Sequence, residues 1–193
     1  MTLLIIGLVL FLGLHSVRIF AEDWRRAQIA RRGEKAWKGL YSIVSLAGFV
    51  LIVWGYGEAR RHPQVLWAPL GWAPHVTALL VLIAFILLAA AYVPHNGIRY
   101  RVHHPMVLSV KVWAFGHLLA NNTLADLLLF GSFLVWAVLD FRAARQRDRV
   151  GHVSYAPGRA GATLLTVVVG IAVWAAFAFG LHRWLFGVSP LGG

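Results

Sequence analysis

Long apolar segments alternate with short polar segments along the whole chain, and this alternation predicts the secondary structure. The apolar segments cover residues 2–20, 39–56, 75–93, 105–120, 124–140 and 161–185. A helix needs about 20 residues to cross the hydrocarbon core of a bilayer, and only 105–120 falls clearly short of that length. The pattern predicts an all-α fold, a polytopic membrane bundle of about six transmembrane helices that forms one domain over residues 1–193.

Shorter signals predict how these helices begin, end and face one another. The basic linker 24–38 has the pattern of an amphipathic helix that lies on the membrane surface. Pro105 fits the first turn of a helix, and Thr123 is suited to cap the helix that follows it. The basic residues 141–149 are expected to lead from helix five into a polar loop. Tyr41, Ser45 and Gly48 share one face, which is expected to meet other helices.

The composition supports a membrane location and explains the high net charge. The chain is 60% hydrophobic and 13% charged, with a formal net charge of +11, whereas soluble domains carry about 25% charged residues. A basic protein can bind nucleic acid, but the arginines here cluster in the short stretches 24–38, 95–104 and 141–159. Loops with this bias lie in the cytoplasm. We therefore expect an inner-membrane protein in contact with lipid, with both termini in the periplasm and no nucleic-acid partner.

Among the nine histidines, His15 and His117 lie inside apolar segments, whereas the others lie in loops or close to the ends of helices. A single buried histidine is more often a hydrogen-bonded packing residue than a ligand. Two in one small bundle without cysteine favour a haem, because imidazoles on separate helices are a usual way to hold haem iron. Zinc and di-iron sites normally need more ligands or carboxylates. Arg18, one turn after His15, is suited to pair with a haem propionate or to snorkel to the membrane surface.

The expected depths of these histidines leave their pairing open. His15 is predicted to lie roughly 20 Å below the outer boundary, and His117 about 5 Å below it, at 1.5 Å per helical residue. On depth alone, His104 is the better partner for His15. Helix tilt would reconcile His15 with His117, so both pairings remain candidates.

The chain resembles the NnrU family of bacterial membrane proteins in four stretches. These are LGLHSVR at 12–18, KGLYSIVSLAGFVLIVWGYGEAR at 38–60, HPMVLSVKVWAFGHLLAN at 104–121 and LLLFGSFLVWAVLD at 127–140. The family is associated with bacterial denitrification, that is, with nitrite and nitric oxide reduction. It is also related to the zeta-carotene isomerases, membrane enzymes thought to hold haem b between two histidines.

The resemblance implies a haem b protein in which His15 and His117 match the two axial ligands and His104 matches the HP motif between them. The implied activity is either redox-gated isomerisation of a lipophilic polyene or a redox role linked to nitric oxide. An alternative function is that of a non-catalytic accessory protein, without cofactor, that helps to assemble or regulate a denitrification reductase.

Overall fold

The computed structural model describes residues 1–191, which form a bundle of α-helices without β-strands in that range. The helices before the middle of the chain are α1 (Thr2–Phe20), α2 (Glu22–Arg32), α3 (Glu34–Ala59) and α4 (Ala73–Tyr92). The helices after it are α5 (Gly97–Val102), α6 (Pro105–Ala120), α7 (Leu124–Val150) and α8 (Ala160–Ala176). A π-helical turn, Phe177–Leu181, joins α8 to α9 (His182–Phe186).

The predicted all-α membrane bundle is confirmed. Among the described residues, five helices are long and apolar enough to span a membrane: α1, α3, α4, α7 and the continuous segment Ala160–Phe186. The sixth expected span is α6, an apolar helix of 16 residues. As expected, α6 begins with Pro105, and Thr123 caps α7 in a reciprocal pair of hydrogen bonds with Asp126.

Two predicted boundaries were wrong, and the reasons are local. The linker 24–38 is not one surface helix, because Gly33 with φ +83° separates α2 from α3. That left-handed backbone conformation favours glycine. The basic residues after Asp140 continue α7 to Val150 instead of forming a loop. Alanine and arginine are good helix formers, so the helix extends until Gly151.

The transmembrane helices pack in an open series, α3–α1–α7–α6–α4–α8. Glycines allow the closest contacts: a Cβ on Gly7, Gly48 or Gly55 would lie within 3 Å of backbone atoms of the facing helix in the α1–α3 pair. This spacing is typical of membrane helices that pack through small residues. Helices α1 and α6 both pack on α7 rather than on each other, so α7 lies between the two intramembrane histidines.

The basic loops gather at one end of the bundle. Arg159 N–H donates to the carbonyl of His95, Arg145 donates to His103, and Arg147 donates to the carbonyl of Arg18. At the opposite end, residues 64–66 pair with 122–124. The expected segregation of basic loops is therefore present, while the cytoplasmic assignment of that end stays a prediction.

Candidate functional site

His15 and His117 contact α7 at two different depths. The ring of His117 stacks on Phe130 with 4.7 Å between centroids, and the ring of His15 meets the edge of Trp136 at 6.1 Å. Phe130 and Trp136 are six residues apart on α7, and six helical residues rise about 9 Å. The histidines therefore differ in depth, although by less than the roughly 15 Å expected from their positions in straight helices.

Both imidazoles are held in the same way, with one ring nitrogen anchored and the other left free. His15 Nδ1 lies 2.7 Å from the carbonyl oxygen of Phe11, and His117 Nδ1 lies 2.9 Å from that of Trp113. A carbonyl only accepts, so Nδ1 carries the proton and Nε2 carries a lone pair. Within residues 1–191, Nε2 of neither histidine has a hydrogen-bond partner. An imidazole that binds a metal is usually anchored in this way.

A layer of aromatic rings lies between the two histidines. Phe11 stacks on His15 at 4.2 Å and approaches Phe133 at 5.9 Å, and Trp113 lies 5.8 Å from Phe133 and 5.0 Å from His117. Two imidazoles on one metal bring their nitrogens to about 4 Å from each other, because each bond is about 2 Å long. His15 and His117 can therefore share an ion only if these rings move aside.

The surroundings of His15 contain polar atoms without partners. Trp136 Nε1 and Ser45 Oγ are buried and make no hydrogen bond in the described part of the chain. Trp136 lies against the His15 ring. Ser45 lies one turn from Tyr41, whose ring is 5.3 Å from His15. Buried polar groups nearly always have a hydrogen-bond partner. Two unpartnered groups near one imidazole therefore indicate that a bound group or water forms hydrogen bonds here.

A cavity of about 420 Å³ opens beside His15 where α1, α2 and α3 meet. Its walls combine apolar side chains, such as Leu14 and Ile29, with the cations Arg18 and Lys38. Lys38 is paired with Glu34. Arg18 is exposed, and its side chain makes no ion pair or hydrogen bond within residues 1–191. His15 and Arg18, predicted to act together, thus line the same cavity, and His117 does not line it.

His104 lies in a different polar cluster, at the basic end of the bundle. Its Nε2 is 2.8 Å from Asp148 Oδ2, and the Tyr155 hydroxyl donates to the same oxygen at 2.9 Å. Burial raises the pKa of Tyr155, and its hydrogen bond to the Asp148 carboxylate raises it further. The adjacent His103 stacks on Tyr155 at 4.2 Å. His104 therefore links the start of α6 to the last turn of α7, and its Nε2 is already engaged.

The other intramembrane polar residues have structural partners. The Tyr56 hydroxyl donates to Asp126 Oδ1 at 2.5 Å, and Thr123 occupies the second carboxylate oxygen. Asp140 lies 3.6 Å from Arg147. Lys111 contacts the Phe141 ring at 5.8 Å and pairs with no carboxylate in residues 1–191. Trp136 is the residue that sequence reasoning missed, because nothing in the sequence distinguishes an unpartnered indole N–H from a packed one.

The described residues contain no group of three or more His, Cys, Asp or Glu side chains that could hold a metal ion. A metal held here by protein side chains would therefore depend on one or two imidazoles.

Comparison with known proteins decides the family. A family model described as NnrU protein matches residues 3–190. The chain belongs to the NnrU family. No curated protein and no solved structure matched the chain. This NnrU-family chain is therefore a membrane protein, in agreement with its five long apolar helices.

Proposed function

We propose that this NnrU-family protein binds haem b in the membrane, with His15 and His117 as the axial ligands. The proposal rests on one observation, which is that both imidazoles have the same hydrogen-bonding arrangement. Each is anchored through Nδ1 to a carbonyl one turn away, and each keeps Nε2 without a partner among the described residues. Neither Nε2 is among the buried unpartnered side-chain atoms of the described residues, so both lone pairs are accessible to a ligand.

The region around His15 fits a haem in three respects. The adjacent cavity of about 420 Å³ is lined partly by apolar side chains of α1, α2 and α3, which would suit one edge of a porphyrin held by His15. Arg18 lies at the same cavity without an anionic partner in the described chain, so it is available to a propionate. The indole N–H of Trp136 is a buried donor beside the imidazole that lacks an acceptor.

The second ligand requires a rearrangement of side chains. His117 is the better candidate, because its Nε2 is free, while Nε2 of His104 is bonded to Asp148. For His117 to reach the same iron, the rings of Phe11, Phe133 and Trp113 must turn out of the space between the two histidines. Since α1 and α6 both pack on α7 and not on each other, the space between them can widen without breaking a helix pair.

A haem held in this way supplies an iron that changes oxidation state and can exchange a ligand. We propose that this chemistry serves a lipophilic substrate, either in redox-gated cis–trans isomerisation of a polyene or in a redox reaction of nitric oxide linked to denitrification. Both substrates partition into the hydrocarbon core, and His15 and His117 belong to apolar helices suited to that core. In either case His15 and His117 would hold the iron, and Arg18 would orient the porphyrin edge.

The test is to express the protein with added haem, purify it in detergent and record absorption spectra of the oxidised and reduced forms. We expect a Soret band and about one haem per chain. Replacing His15 with alanine should abolish haem retention, and replacing His117 should change the coordination of the iron. The matched controls are His62→Ala and His75→Ala, which remove exposed histidines and should leave the spectrum unchanged.

A protein that stays colourless under these conditions would overturn the proposal. Co-purification of such a colourless protein with a nitrite or nitric oxide reductase would instead support the accessory function. If His104→Ala, and not His117→Ala, changed the coordination, the pairing would be His15 with His104, and Asp148 would have to release the His104 ring.

A further inference from the structure

A second cavity, of about 490 Å³, lies between α5 and the start of α8 at the basic end of the bundle. It lies away from His15 and shares no lining residue with the first cavity. Two arginines, Arg101 and Arg159, stand on its wall beside the apolar side chains of Ile98, Leu164 and Val167. No acidic residue lines it.

The two arginines come from distant parts of the chain and have no anionic partner in it. Neither guanidinium takes part in an ion pair or a hydrogen bond within the described residues. The sequence explains why Arg101 has no acidic neighbour along the chain, because no Asp or Glu occurs between Glu58 and Asp126. Both arginines are exposed, and two guanidinium groups without a carboxylate partner on one cavity wall form a positive site that attracts an anion.

The backbone that presents these arginines is firmly held. Asn96 is 2% exposed, and its side-chain amide donates to the carbonyls of Ala90 and Val93. The N–H of Gly97 donates to Thr163 Oγ1 at 2.7 Å. A Cβ on Gly158 would lie 2.2 Å from Gly97 N, so the two segments meet at backbone distance. The cavity is therefore a preorganised feature of the α5–α8 junction.

We propose that this cavity binds one anionic phospholipid. The guanidinium groups of Arg101 and Arg159 hold the phosphate, since guanidinium groups match phosphate oxygens in geometry and charge. The first part of an acyl chain lies on Ile98 and Val167 and continues over Leu164, which is 66% exposed. Basic pockets between transmembrane helices near the cytoplasmic leaflet bind anionic lipids in this manner.

The experiment is a titration of the purified, full-length protein in neutral detergent with dioctanoyl phosphatidylglycerol, read by native mass spectrometry. Dioctanoyl phosphatidylcholine is the neutral-lipid comparison. The test variant is the double substitution Arg101→Gln and Arg159→Gln. The matched control is Arg31→Gln with Arg32→Gln, which removes the same charge from exposed positions of α2 and leaves the cavity intact.

We expect phosphatidylglycerol to bind one per chain and the cavity variant to weaken its affinity about 25-fold, since each of the two basic side chains near an anionic headgroup contributes about fivefold. The control should bind as the natural protein does. Val167→Trp, which fills the apolar wall and keeps both arginines, should also weaken lipid binding.

Equal affinity for phosphatidylcholine, or equal loss in the cavity and control variants, would overturn the proposal. Displacement of the lipid by inorganic phosphate at the same concentration would show an anion site rather than a lipid site, and would also overturn it. Haem spectra play no part in this readout, so the outcome is independent of the haem proposal.

Discussion

The close contact between α1 and α3 depends on Gly55, and one added methyl group should separate the helices. A Cβ at Gly55 would lie 2.2 Å from the backbone nitrogen of Leu4, whereas ordinary contacts begin at 3.4 Å. Leu4 is 0% exposed and its backbone cannot rotate away. Gly57, two residues further along the same helix, has no atom within 4 Å of the equivalent position.

This contrast predicts opposite effects for the same substitution at the two glycines. Overpacking typically lowers the free energy of unfolding by about 1–3 kcal/mol, and the upper end applies where backbone blocks the methyl group. Replacing a helical glycine with alanine raises the free energy of unfolding by about 1 kcal/mol, because alanine has the higher helix propensity. Gly55→Ala should therefore destabilise the protein by about 2 kcal/mol, and Gly57→Ala should stabilise it by up to about 1 kcal/mol.

The assay is denaturant unfolding of the purified protein in mild detergent, followed by far-ultraviolet circular dichroism. The two variants have the same composition and differ only in the position of one methyl group. If Gly55→Ala were as stable as Gly57→Ala, the packing of α1 on α3, and with it the placement of His15, would be wrong.

Three further perturbations test other parts of the structure. Tyr56→Phe removes a hydrogen bond to the buried Asp126 carboxylate and should lower the free energy of unfolding by about 1–3 kcal/mol; an unchanged denaturation midpoint would contradict that bond. Trp136→Phe removes an N–H that has no partner in residues 1–191. It should change the stability of the haem-free protein by less than about 1 kcal/mol and weaken haem retention. A large loss of stability with unchanged haem retention would show that the indole is a structural donor. The hydrogen bond from Arg25 lowers the pKa of Glu22 to about 2 from its ordinary 4.5, so the contribution of this pair to stability should persist above pH 4.5 and be lost as pH falls toward 2. Glu22→Gln should remove that acid-dependent step in tryptophan fluorescence, and a step that survived would have another origin.

Much of the fold can be predicted from the sequence, because membrane-spanning helices are recognisable by their length and apolar composition. The segment 2–20 matches α1, and Pro105 and Thr123 mark the starts of α6 and α7 as expected. The errors concern the boundary between α2 and α3 and the end of α7, where the polar sequence predicts a linker. Arginine-rich sequence remains a good helix former, and Gly33 ends α2 while Gly151 ends α7.

The candidate site was predictable only in part. The sequence singles out His15, His117 and Arg18, since charged or imidazole side chains in apolar helices are uncommon. It does not show that His104 bonds to Asp148, because those residues are 44 positions apart. Nor does it show the aromatic layer of Phe11, Trp113 and Phe133, which depends on the register of α1 and α6 against α7.

The central claim is that the free Nε2 atoms of His15 and His117 bind haem iron. The spin state of the ferric haem tests that claim most directly. Electron paramagnetic resonance of the purified, haem-loaded protein should show a low-spin ferric signal from two nitrogen ligands. In His117→Ala the signal should become high-spin, with the haem still bound through His15. A low-spin signal that persists in His117→Ala, or a natural protein that takes up no haem, would contradict the assignment of His15 and His117 as ligands.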